Sequence, residues 1–194
     1  VALVVPVARA QDRATVEIAP FIGYRFGGSV GDTFSAATYG IDGARSEGVV
    51  VSALAGKTTS VAFLFSRQDT GVDVASYPST EHYDMRIDHW MAGAIGEFPG
   101  HDGRVHPFME AFLGATQIQT RDGGSSSSTY FSGALGGGAE FDLAKHLALR
   151  LDARVYAIFV SSSGAAACGG GCVLAFGGNA MFQGEVAAAL VVKL

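Results

Sequence analysis

The sequence predicts an all-β chain that closes eight antiparallel strands into a single barrel. Three observations predict it. Apolar and polar residues alternate with period two from Thr15 to the C-terminus, the 194 residues include 27 glycines, and the connections between segments alternate short and long. Glycine at about double its usual share of roughly 7% weakens helices, but suits turns and the crowded interior of a small barrel.

The first strand places Val16, Ile18, Pro20, Ile22, Tyr24 and Phe26 on one face and Glu17, Ala19, Phe21, Gly23 and Arg25 on the other. The second spans roughly Glu47 to Ala55, where three consecutive valines, Val49 to Val51, leave its register open. The third, Thr59 to Gln68, sets Val61, Phe63 and Phe65 against Ala62, Leu64, Ser66 and Gln68. In the fourth, His82, Asp84, Arg86, Asp88 and Trp90 alternate with Tyr83, Met85, Ile87, His89 and Met91, and its charges are assigned to the inward face.

The fifth opposes Val105, Pro107, Met109, Ala111 and Leu113 to His106, Phe108, Glu110, Phe112 and Gly114. The sixth opposes Phe131, Gly133, Leu135, Gly137, Ala139 and Phe141 to Ser132, Ala134, Gly136, Gly138 and Glu140. The seventh turns Leu147, Leu149, Leu151, Ala153 and Val155 away from Arg150, Asp152, Arg154 and Tyr156. The eighth turns Val186, Ala188, Leu190, Val192 and Leu194 away from Glu185, Ala187, Ala189, Val191 and Lys193.

Short turns are expected at Gly56-Lys57, Pro99 to Gly103 and Leu143 to Lys145, and long loops over 27–43, 69–80, 121–129 and 161–179. Residues 125–128, four serines, read as a loop tip.

Alternation alone does not say which face is inside. Apolar residues make up 48% of the chain and charged ones 16%, yet no run approaches the roughly 20 apolar residues of a spanning helix. Only Lys57, Lys145 and Lys193 are lysine, whereas a soluble β-protein coats its surface with Lys and Glu. The apolar face carries aromatics near strand ends (Tyr24, Phe26, Phe65, Tyr83, Phe131, Phe141, Phe159), as an interfacial girdle does.

Residues 1–10 end in Ala8-Arg9-Ala10 after an apolar stretch, the pattern of the end of a secretory signal. Cleavage after Ala10 would leave 11–194 as the barrel. These features favour a membrane barrel with its polar face inward; a secreted, lipocalin-like soluble barrel is the competing fold. The net charge of −5, with no basic run, argues against a nucleic-acid partner.

The chain resembles the small outer-membrane β-barrel proteins of the OmpA/OmpX type over nearly all of its mature length. Carriers of the resemblance are 20–28 (PFIGYRFGG), 104–108 (RVHPF), 136–138 (GGG), 149–154 (LRLDAR) and 183–186 (QGEV). It implies short periplasmic turns, long external loops, outer-membrane lipid as surroundings, and the barrel-assembly machinery as a partner in biogenesis. Such barrels usually end in an aromatic residue, where this chain has Leu194.

The inward charges expected to form a lumen network are Glu17, Arg25, Asp84, Arg86, Asp88, Glu110, Glu140, Arg150, Asp152, Arg154, Glu185 and Lys193. Paired and hydrogen-bonded, they would fill and stiffen the barrel; a narrow polar pore for water, ions or small solutes is the alternative. Cys168 and Cys172, flanking three glycines, suit a disulfide in an exported chain.

No cofactor or metal is expected, since two thiols without a further ligand make a poor site. Gly27-Gly28-Ser29-Val30-Gly31 matches a nucleophile-elbow pattern, but it lies in a glycine-rich loop without the helix that the motif requires. The five histidines form no Ser/His/acid set, so a lipid-modifying enzyme is the least favoured reading. External loops are left as the expected contact surface for any partner.

Overall fold

The computed structural model describes residues 16–32, 38–76, 79–100, 103–121, 126–160, 165–167, 173–175 and 180–194. The signal segment 1–10 and the pair Cys168 and Cys172 lie outside these residues. Eight long strands close into an antiparallel barrel: β1 (Val16–Phe26), β4 (Ala44–Leu54), β5 (Thr59–Ser76), β6 (Ser79–Glu97), β7 (Val105–Thr120), β8 (Ser126–Ala144), β9 (Leu147–Phe159) and β12 (Met181–Lys193). Each pairs with its neighbour in sequence, and β1 closes on β12 from Glu17↔Lys193 to Phe26↔Gly184. Pro20, which has no N–H to donate, falls at a gap in that seam between the pairs Ile18↔Val192 and Phe21↔Ala189.

Four short strands, β2 (Ser29–Asp32), β3 (Thr38–Gly40), β10 (Ala165–Ala167) and β11 (Val173–Ala175), form a second sheet in the order β10-β11-β2-β3. That order repeats the order of the barrel strands they continue, β9-β12-β1-β4. The edges of this sheet touch β8 and β5. It is an upper storey of the barrel wall, separated from β1 by Gly27 and Gly28 at φ of 84° and 97°, a conformation that glycine adopts without strain.

One of the expected long loops, 69–80, is therefore mostly strand, and the end of another, 126–129, is strand as well. Residues 69–76 pair with 79–86, continuing Arg67↔Asp88 through Asp69↔Arg86 and Asp73↔His82 to Ser76↔Ser79. Ser126 to Ser128 pair with Ile118 to Thr120, so these three serines belong to β8 rather than to a loop tip, while Ser125 lies outside the described residues. The second strand starts at Ala44, with Val50 inward and Val51 outward.

The outer wall is apolar all the way round. Ile22, Val61, Met109, Leu113, Leu135, Val155, Phe182 and Val186 are each at least half exposed. Phe26, Phe182, Phe159, Phe131 and Trp90 form a girdle below the upper storey, with Trp90 packed on Phe65 at 4.3 Å between ring centroids. Phe98, Leu143 and Leu194 mark the opposite end. In water such a surface would drive aggregation; hydrocarbon is the solvent it matches. A strand of about 9–11 residues crosses that solvent, so the 19 residues of β6 reach well beyond it on the side of the long hairpins.

Candidate functional site

The interior is built in tiers, because the inward residues of neighbouring strands meet at the same height. Each charged tier contains one arginine lying on an aromatic ring. At the end near the termini, the Arg150 Nε and Nη2 donate to Glu140 at 3.1 and 2.8 Å, and Nη2 lies 3.4 Å from Glu17. The Arg150 guanidinium sits over Phe108. Lys193 Nζ bridges Glu140 at 2.8 Å and Asp142 at 2.6 Å, and His106 reaches Asp142 at 3.0 Å.

The middle tier centres on Arg154. It bonds three carboxylates: Glu110 through Nε, Glu185 through Nη1 at 3.1 Å, and Asp152 through Nη2 at 2.9 Å. All four side chains are at most 1% exposed, and the guanidinium covers Phe21. Phe21 itself packs against Gly48, where any Cβ would overlap the ring.

Above it, Arg25 donates from Nε and Nη2 to Glu185 at 3.0 and 2.6 Å and also meets Ser66. Tyr156 donates to the other Glu185 oxygen at 2.9 Å and lies between Arg25 and the stacked ring of His89. His89 is fully buried and bonds Thr116 at 2.7 Å. A cap of apolar side chains ends the series: Ile41, Val72, Tyr83, Met85, Ile87, Ile118, Tyr130, Ile158, Val160 and Met181.

Glu17, Arg25, Glu110, Glu140, Arg150, Asp152, Arg154, Glu185 and Lys193 thus meet inside the barrel. Asp84, Arg86 and Asp88 do not: the faces of the fourth strand are the reverse of those expected. His89, Met85, Ile87, Met91 and Tyr83 point in, so Tyr83 is not part of the girdle and His89 does not face lipid. The reason is length. Before Trp90 the strand stands clear of the hydrocarbon. Its outer face therefore carries Asp84 and Arg86, exposed or half-buried, and Asp88, covered by its partner Arg67, while apolar residues on the inner face fill the upper core.

On the outer face of this extension, charges pair directly across β5 and β6. Arg67 Nε and Nη2 donate to Asp88 at 2.8 Å each, and Arg86 donates to Asp69 at 2.8 and 3.2 Å with Arg121 at 3.4 Å. His82 Nδ1 lies 2.6 Å from Asp73, which holds the imidazole above its ordinary range. Sequence reasoning missed these pairs, and one signal could have found them. Arg67, Asp69 and Asp73 are mirrored by His82, Arg86 and Asp88 about the centre of a single hairpin.

The hydrogen bond from Arg86, with the charges of Arg86 and Arg121, holds the Asp69 carboxyl below the ordinary aspartate range. A depressed folded value means that the pair stabilises above the unfolded pKa, about 3.9, and loses that contribution as pH falls through the folded value. The Asp69 carboxyl carbon followed by NMR should therefore titrate below about pH 3.9, and Arg86→Gln should move it back up.

No family model matches the chain, and no curated protein sequence matches it. Among solved structures, it is similar to Neisserial surface protein A, with 16% identity, a TM-score of 0.64, and 93% of this chain and 98% of that one covered. It is similar to the outer membrane protein OprG from Pseudomonas aeruginosa, with 12% identity, a TM-score of 0.58, and 94% and 98% covered. The outer membrane protein AlkL, solved in lipid bilayers, aligns at 14% identity and a TM-score of 0.51 over 100% and 98%. Closed topology, apolar wall and these likenesses agree: the chain has the fold of the small eight-stranded outer-membrane β-barrels of the OmpA/OmpX type.

Proposed function

We propose that this protein is an integral outer-membrane barrel with a structural or surface-interaction role, its interior held shut by ion pairs and its upper storey presented to the cell exterior. One observation carries this reading: Arg154 is bound by three carboxylates at the centre of the barrel, with all four side chains at most 1% exposed. Eight strands enclose little space beyond their own side chains, and here that space is filled tier by tier. A hydrated ion entering from the outer end would first have to shed water in the apolar cap, at a cost of several kcal/mol.

We assign the protein no enzymatic step. Outer-membrane lipid surrounds the wall, the barrel-assembly machinery inserts it, and the outer hairpins are its surface for partners. Export follows from residues 1–10 acting as a signal, which sequencing of the mature N-terminus at Gln11 would verify. We also propose a disulfide between Cys168 and Cys172, stabilising the last external connection.

One observation favours a second reading, a narrow path for water or small ions. His89 Nε2, Glu110 Oε2, Asp152 Oδ1 and Arg150 Nη1 are buried without a hydrogen-bond partner in the protein, at heights that follow the barrel axis. Planar-bilayer recording separates the two. The closed barrel gives a flat baseline with rare, irregular events, and regular unitary openings would replace the proposed role with that of a channel.

A further inference from the structure

We propose that Asp42, Asp73 and His82 form a binding site for a divalent transition-metal ion of the zinc class on the outer rim of the barrel. Three chain segments bring them together. Asp73 and His82 face each other across β5 and β6, and the isolated bridge Ile41↔Val72 carries Asp42 to the same spot, with its N–H donating to the Gly71 carbonyl at 3.0 Å. One ligand atom from each lies within 4.8 Å of the other two. A shared ion sits about 2.0–2.2 Å from each donor, so small rotations of three exposed side chains complete the set.

Two features separate this cluster from ordinary surface charge. The first is its electrostatics. Nearer the barrel, two carboxylates of the hairpin face guanidinium groups, Asp88 facing Arg67 and Asp69 facing Arg86. At this position the series breaks: an imidazole replaces the arginine, and neither Asp42 nor Asp73 has an Arg or Lys within ion-pair distance among the described residues. Asp84 adds a third carboxylate 3.6 Å from His82 Nε2. Asp42 and Asp73 together outweigh the single imidazole, and a dication would neutralise that charge.

The second feature is steric. The His82 ring lies across Gly71, where any Cβ would overlap Cε1 and Nε2. With the ring laid flat there, Nδ1 turns towards Asp73 and Nε2 towards Asp84. Mixed nitrogen and oxygen donors suit zinc and its neighbours better than calcium or magnesium, which take oxygen alone. Positions not filled by protein remain open to water on this exposed face.

The test is titration of the refolded barrel in detergent with zinc chloride, after chelator treatment, at about pH 7.5, where the ion displaces any proton held on the imidazole. Binding is expected at one ion per chain, weakened roughly tenfold or more by His82→Gln and by Asp42→Asn. His146→Gln, at the opposite end of the barrel, should leave it unchanged. Each variant is first checked for the electrophoretic shift of a folded barrel. No uptake at millimolar zinc, or equal affinity in the wild type and His82→Gln, would overturn the site.

Discussion

Arg154→Met will destabilise the folded barrel by about 3–5 kcal/mol, the usual cost of removing one partner from a buried ionic cluster. Methionine keeps most of the volume, so the loss is electrostatic rather than a cavity. It leaves Glu110, Asp152 and Glu185 converging without their shared cation, and only Glu185 retains a second one, Arg25. Denaturant unfolding in lipid vesicles measures the change. Adding Glu110→Gln should recover part of the loss, because one of the stranded charges is then gone. A single-variant loss below about 1 kcal/mol would mean that the middle tier is solvated, contrary to the burial described.

Leu135→Arg will cost about 2–4 kcal/mol in a bilayer, as cationic residues do at the middle of a membrane barrel's outer face. Leu135 is 68% exposed and stands on β8 between Phe131 of the girdle and Phe141 near the other end. The same substitution on a water-facing wall would change stability by less than about 0.5 kcal/mol. The contrast is sharp because the polar variant improves solubility in one solvent and is expelled from the other. Unfolding of the variant in vesicles, compared with Gln119→Arg on the exposed extension, reads it directly.

Much of the barrel was legible in the sequence because period two is strict wherever one face meets lipid and the other meets packed side chains. Six of the eight strands kept the faces read from alternation, the second having been left without a register, and the tiers around Arg25, Arg150 and Arg154 follow from those faces. The fourth strand misled for a physical reason. Its charges were assigned inward on the premise that the outer face is lipid throughout, but above Trp90 the outer face is water. The mirrored residues Arg67, Asp69 and Asp73 against His82, Arg86 and Asp88 carry that information, though only once 69–80 is seen as a hairpin. The apolar cap was hidden likewise, because Met85, Ile87 and Ile118 look the same in sequence whether they face lipid or the upper core. The site at Asp42 depends on one bridge between distant segments, which local pattern does not encode.

The central claim is that the apolar wall faces lipid and the charges face the closed interior. Fractionation of cells expressing the protein, followed by electrophoresis with and without boiling, tests it most directly. The account predicts that the protein enters the outer membrane and migrates differently before and after heating, as a folded barrel does. Recovery as a soluble periplasmic protein with no shift would contradict it and would make the charged face the surface.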